Sequence, residues 1–294
     1  MNLRMKNYLK ALLVILFGCF FVWLLWYLVR DSNIAILQPK GAVALEERNI
    51  ILIATGLMLG IVIPVFALTA IIAWRYRATN DTAKYLPNWE HSATEEFIWW
   101  AVPCVVIVIL ASIAWKSSRE LDPFRPLPGN NEVIEVVALD WKWLFIYPKE
   151  NIATINYVEI PAGVPIEFRV TSDAPMNSFW IPQLGGQIYA MSGMVTQVHL
   201  IADEPGTYAG SSANISGKGF AGMRFAAKAV TPDEFARWAS STEAMPDILD
   251  GAAYTELLRP STYDAVRYYG HVQSGLFSKI FSQYDATMQM SMDD

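Results

Sequence analysis

Side chains able to bind a metal or form a covalent intermediate are sparse in this chain of 294 residues, which has two Cys and three His. Cys19 and Cys104 both lie inside long apolar runs, so the rest of the chain can hold neither a disulfide framework nor a thiolate metal site. His91, His199 and His271 are scattered, His271 in a stretch that reads as helical, and they read as structural or surface residues. No nucleophile elbow, His-x-x-His pair or phosphate-binding glycine loop is present. Three segments remain. GSSANISGKGFAGM (210–223) has the Gly and Ser content of a loop that cradles a ligand, yet it carries no Cys, His or carboxylate. DWKWLFIY (140–147) is densely aromatic, and on a strand Trp141, Trp143 and Phe145 share one face, which serves either as core or as a contact surface for a partner or an electron path. In HSATEEFIWW (91–100), Ser92 and Glu95 have the spacing of a capping box, which leaves Glu96 without a capping task. A carboxylate in the first turn also complements the helix dipole, so these residues alone leave the role of Glu96 open.

The elements that position these segments begin with three apolar blocks, 11–29, 50–74 and 97–115. A bilayer core of about 30 Å takes roughly 20 apolar residues in a helix, so each block is long enough to cross. The chain is 53% hydrophobic, and neither the later runs nor the linkers supply a soluble core that would bury such helices. Arg4, Lys6 and Lys10 precede the first block, and Arg75, Arg77 and Lys84 follow the second. The positive-inside rule then puts the N-terminus in the cytoplasm, and after three crossings the remainder lies outside. Lys116 and Arg119 oppose this weakly. The first block is longer than a signal-peptide core and reads as a retained helix. LFGC (16–19) offers the alternative of lipoprotein processing at Cys19, against which stand Phe17 and the ten apolar residues that follow. GLMLG (56–60) is a small-xxx-small face suited to a partner helix. With a net charge of −6 and no basic run, nucleic acid is not an expected partner.

Beyond the Pro-rich linker LDPFRPLPGNN the pattern changes to short β-branched and aromatic runs. These are 133–148, 154–172 with a turn at PAG, several within 177–210, and 223–230. Turn signals at LGG, MSG and EPG separate them, as in a Greek-key β-sandwich. From Thr231, TPDEFARWASS has a helix start, and helical segments are expected to about residue 285. This last part is acidic, with 10 Asp and Glu against 4 Lys and Arg. The predicted organisation is an apolar anchor or signal segment (1–35), a transmembrane hairpin (36–120), an exported sandwich (121–230) and a helical extension with tail (231–294).

In order along the chain, PKG (39–41), LDWKWLFIYP, MNSFWIPQLGGQIYAMSGM and EPGTYAGSSANISGKGFAGM resemble subunit II of the haem–copper respiratory oxidases, most closely its bo-type ubiquinol oxidase branch. The resemblance extends to about residue 285. It implies a cupredoxin fold, which in the cytochrome c oxidases carries the dinuclear copper centre CuA on a His before a Pro-containing strand and then on C-x-E-x-C-x-x-x-H-x-x-M. Laid on that pattern, Asn177 stands for the first His, Ser212 and Ser216 for the two Cys, Asn214 for the Glu and Phe220 for the second His, while Met223 remains. A copper pair needs thiolate and imidazole ligands, which hydroxyl, amide and phenyl groups do not replace. The resemblance therefore implies no metal and no cofactor in this chain, with haems and copper in a partner subunit I, and quinol rather than cytochrome c as the electron donor. Subunit II would then be an accessory that caps subunit I, and Glu96 would lie at the mouth of a proton path into it. The bo-type relatives carry a lipidated Cys shortly before the LDPKG-like stretch. Here Ser32 has that spacing and Cys19 lies well upstream, which favours a retained helix over a lipid anchor. A menaquinol-oxidising relative and a free-standing membrane-anchored binding or assembly protein are the alternatives.

Overall fold

The structure, a computed structural model, describes residues 34–84 and 91–292 together with 16, 18–20, 22–24, 26–27 and 30. Much of the first apolar block, and with it the expected third helix, lies outside the described residues. Its described members, Cys19 among them, are helical. The chain divides into two compact units, Met1–Gln38 and Pro39–Asp294, and everything below concerns the second.

Two helices open that unit, α1 (Ala42–Arg75) and α2 (Ala93–Glu120), and both are long and apolar enough to cross a membrane. None of either helix's most apolar 18-residue window is buried within the chain, so lipid or partner helices must cover those sides. A Cβ added at Gly56 or Gly60 would meet no atom within 4 Å, so among the described residues nothing packs against these two positions of the GLMLG face. Ser92 is the N-cap of α2, but its side chain makes no capping hydrogen bond. The expected capping box is therefore not formed.

The sandwich follows. One sheet has the order β12-β3-β2-β1-β5-β8 and the other β4-β10-β9-β6-β7. The strands are β1 (Glu132–Leu139), β2 (Lys142–Tyr147), β3 (Ile152–Ile155), β4 (Tyr157–Pro161), β5 (Ile166–Ser172), β6 (Asn177–Trp180), β7 (Ile188–Ala190), β8 (Thr196–Leu200), β9 (Gly206–Ser212) and β10 (Arg224–Val230). The extension adds α3 (Pro232–Glu243), β11 (Ile248–Leu249), α4 (Gly251–Leu257), β12 (Arg267–Tyr269), β13 (His271–Val272) and α5 (Leu276–Met292). Thr231 caps α3 with a complete capping box to Glu234, at the helix start that the sequence predicts. His271 is on a short strand, contrary to the helical expectation, and β13 pairs in parallel with β11.

The run 133–148 is a hairpin rather than one strand. Trp141 adopts a left-handed φ of 63° at its turn, and β1 pairs antiparallel with β2 from Leu139↔Lys142 onward. Asn156, at φ 54°, likewise separates β3 from β4. The hairpin is apolar on both faces because both are covered. Val136, Trp143, Phe145 and Tyr147 join the core between the sheets, where each is at most 1% exposed. Val137, Leu139, Leu144 and Ile146 point the other way, against Tyr254, Leu257, Leu276 and Phe277 of the extension. Burial of each such side chain contributes about 1.5–3 kcal/mol. The extension is thus a third layer that completes the first sheet.

Candidate functional site

The loop that follows β9 is closed by hydrogen bonds among the residues that stand at the metal-ligand positions of the resembling family. Asn177 opens β6 and Ser212 ends β9, and the two strands are hydrogen-bonded neighbours. Both residues are buried, at 1% and 5% exposure. Ser212 Oγ lies 3.0 Å from Asn177 Oδ1 and 3.2 Å from the Asn214 carbonyl, so its proton is shared between two acceptors. The same oxygen accepts from Ser178 N at 3.4 Å. Asn177 Nδ2 donates to the Pro175 carbonyl (2.7 Å), and Asn214 Nδ2 donates to the Met176 carbonyl (2.9 Å). Met223 is fully buried, and Phe220 lies half-buried in the 3-10 turn Phe220–Gly222. Ser216 Oγ is buried with no hydrogen-bond partner among the described residues, while its carbonyl accepts from Trp141 Nε1 at 3.3 Å.

These donors do not suit a copper pair. Ser212, Asn177 and Asn214 are engaged with one another and with backbone, and none of them is a thiolate or an imidazole. One thioether, Met223, is the sole soft ligand in the set.

Trp141 and Trp143 have separate fates. Trp143 is fully buried, its ring edge-on to Phe179 (5.6 Å, 72°), and Phe179 stacks on Phe225 (5.3 Å, 6°). It therefore belongs to the core and not to a contact face. Trp141 lies outside β2, in the turn, and does not share that face. Its indole covers the loop: a Cβ on Gly219 would fall 2.3 Å from the ring, so only glycine allows this approach. Gly217 beside it adopts φ +122°.

Sequence reasoning missed how the extension grips this region. Lys142, 2% exposed, sends its Nζ to the carbonyls of Leu257 and Arg259, both at 3.0 Å, and to Asp264 Oδ2 at 3.2 Å. Asn156 takes a hydrogen bond from Trp143 N (2.9 Å) and donates to the Asp264 carbonyl (3.0 Å). Asp173, just before the Asn177 strand, accepts from Tyr254 OH (2.6 Å), Gln283 Nε2 (3.0 Å) and Tyr284 OH. Burial, with the hydrogen bond to Asp173 behind it, pushes the Tyr284 phenol up to about 12 and the Tyr254 phenol higher still, so both remain neutral donors. Tyr263, at φ 57°, lays its ring against Gly222 beside Met223. The polar residues Lys142 and Asp173 were the only hint in the sequence, and their partners are distant in the chain.

Glu96 stands apart from the loop, in the first turn of α2, where it pairs with His91 Nδ1. His91 is well exposed and Glu96 about one-third exposed, so the pair faces solvent at the end of the hairpin opposite the sandwich.

The fold and this loop define a class: a cupredoxin-like domain on a membrane hairpin, whose loop after β9 is held by side-chain hydrogen bonds. Comparison with known proteins agrees. Residues 133–230 match the family described as the cytochrome c oxidase subunit II periplasmic domain, and residues 244–288 match the COX aromatic-rich motif. The cytochrome bo(3) ubiquinol oxidase subunit 2 of Pseudomonas putida is 48% identical over 260 residues, covering 88% of this chain and 83% of that protein. The ubiquinol oxidase subunit 2 of Acetobacter aceti is 45% identical, covering 90% and 87%. The quinol oxidase subunit 2 of Bacillus cereus is 36% identical, covering 89% and 87%. The chain belongs to the subunit II family of the haem–copper respiratory oxidases, on its quinol oxidase branch.

Proposed function

We propose that this chain is the accessory, non-catalytic subunit of a proton-pumping quinol oxidase, and that electrons pass from quinol to oxygen within its partner subunit I. The observation that carries this reading is the donor set at 177, 212, 214, 216 and 220. A relay for a soluble one-electron donor needs a redox centre at the exported surface, and hydroxyl, amide and phenyl groups cannot build the copper pair that serves there. A lipid-dissolved quinol needs no such relay. Haems and copper then reside in subunit I, and cytochrome c is not a partner.

The uncovered apolar sides of α1 and α2, with the open GLMLG face, fit packing against subunit I and lipid. In this reading the chain sits in the bacterial inner membrane with the sandwich on the periplasmic side, capping subunit I. The opposite end of the hairpin, with the Glu96–His91 pair, then meets the cytoplasm. A carboxylate at the protein–water boundary next to a membrane is suited to collecting protons, so Glu96 is the proposed proton-entry group.

The test is a donor assay on the purified complex. Oxygen uptake is expected with a short-chain quinol and not with reduced cytochrome c. Turnover supported by cytochrome c at a comparable rate would overturn the reading.

A further inference from the structure

A cavity of about 470 Å³ lies where the hairpin meets the sandwich, apart from the loop described above. Its charged and titratable wall is Glu46, Glu47, Glu120, Asp122, Arg125 and His199, and Gln187 with glycine, aliphatic and proline residues completes it. The junction is firmly built. Lys40 N donates to the Gln183 carbonyl at 2.7 Å, and Asp203 N donates to the Lys40 carbonyl at 2.9 Å. A Cβ on Gly41 would fall 2.2 Å from the Ile201 carbonyl. His199 is 5% exposed, and its Nδ1 lies 2.9 Å from the Pro123 carbonyl, which ties the linker to β8.

Its depth follows from the helix rise. Glu47 lies three residues outside the apolar run that begins at Ile50, and Glu120 five residues beyond Trp115. At 1.5 Å per residue these carboxylates stand about 4–8 Å beyond the hydrocarbon edge, which is the level of lipid headgroups.

Four carboxylates face one guanidinium there, and they are poorly compensated. Glu47 accepts one hydrogen bond, from Gly186 N at 3.0 Å, and among the described residues it has no cationic partner. Among the described residues the Asp122 carboxylate accepts a hydrogen bond from Phe124 N alone (3.0 Å), and Glu120 reaches Lys116 at 4.0 Å. Among the described residues no group of three or more His, Cys, Asp or Glu is placed to hold a metal ion. No Phe, Tyr or Trp lines the cavity, which removes the aromatic cage that a quaternary ammonium needs. A primary ammonium, with three N–H donors, matches carboxylate acceptors. Arg125 adds a site for a phosphate.

We infer that this cavity binds the headgroup of a phosphatidylethanolamine-type phospholipid, with the ammonium on Glu47 and Asp122 and the phosphate on Arg125. Bound this way, one lipid bridges the ends of both helices and the sandwich. The inference rests on the membrane placement of the hairpin and not on the identity of the electron donor.

The experiment is native mass spectrometry of the full-length chain in mild detergent, with lipids of identical acyl chains added back. Wild type is expected to retain phosphatidylethanolamine roughly fivefold over phosphatidylglycerol and phosphatidylcholine, the discrimination that a partly exposed ion pair supplies. The Glu47→Gln/Asp122→Asn double variant is expected to bring the three to parity, and Arg125→Gln to weaken all three alike. Equal retention by wild type, or a preference that survives the double variant, overturns the proposal. A readout that needs no variant is hydrogen exchange of wild type in vesicles. Phosphatidylethanolamine should protect residues 120–128 and phosphatidylcholine should not, and equal protection by both refutes the site.

Discussion

Replacing Lys142 by Met should loosen the extension from the sandwich without unfolding the sandwich itself. The methionine fills the space of the aliphatic stem but removes every N–H donor. The carbonyls of Leu257 and Arg259 and one oxygen of Asp264 are then left without Lys142 in a site where that side chain is 3% exposed. Removing one member of a buried pair costs about 3–5 kcal/mol. The lower end applies here, because Asp264 keeps Ser261 Oγ at 2.5 Å and Arg267 Nη2 at 3.5 Å. A loss of about 3 kcal/mol raises the detached population roughly 100-fold. Native-state hydrogen exchange should therefore show faster exchange in β12 and the 258–266 segment, with β1 and β5 unchanged. Uniform acceleration across the sandwich, or none anywhere, would refute the clasp. The same contact sets a pH dependence. Burial alone would raise the Asp264 carboxyl, but hydrogen bonds from Ser261 and Lys142 and the charges of Lys142 and Arg267 outweigh it and hold the carboxyl below its ordinary 3.8. A carboxyl depressed in the folded state stabilises fully above 3.8, and that contribution is lost as pH falls through the lower folded value. Lys142→Met weakens the depression, so acid detachment should begin at higher pH than in wild type.

Two further substitutions address the loop and the hairpin. Ser212→Ala leaves Asn177 Oδ1 and Ser178 N without this partner in a buried site and should cost about 1–3 kcal/mol, read as a lower denaturant midpoint at constant m-value; an unchanged midpoint would deny the loop its structural role. Glu96→Ala should slow oxygen reduction by the complex with haem content unchanged, whereas wild-type turnover would return Glu96 to a helix-end role.

Strand content and the membrane hairpin were legible in the sequence because β-branched runs, turn residues and unbroken apolar blocks are local signals. The breaks within those runs were not. Trp141 and Asn156 adopt left-handed backbone without glycine, and Trp is a residue type for which this conformation carries no sequence signal. The aromatic run looked continuous because both of its faces are buried, which abolishes the alternation that marks a half-buried strand. Ser92 shows the converse error: its capping-box spacing with Glu95 is present, yet its side chain makes no capping hydrogen bond. The residue types at 177, 212, 214, 216 and 220 could be read directly. Their hydrogen-bonded closure could not, because Asn177 and Ser212 meet across 35 residues. Lys142 was the least visible of all. Its acceptors are backbone carbonyls more than a hundred positions away, and carbonyls leave no trace in a sequence.

The central claim, that the loop is closed by its own side chains and serves no electron relay, is tested most directly by copper titration of the full-length chain. Incubation with copper, followed by desalting and metal analysis, should leave no stoichiometric copper and no thiolate-to-copper absorption. A retained pair of copper ions per chain, abolished by changes at Ser212, Ser216 or Met223, would contradict the account.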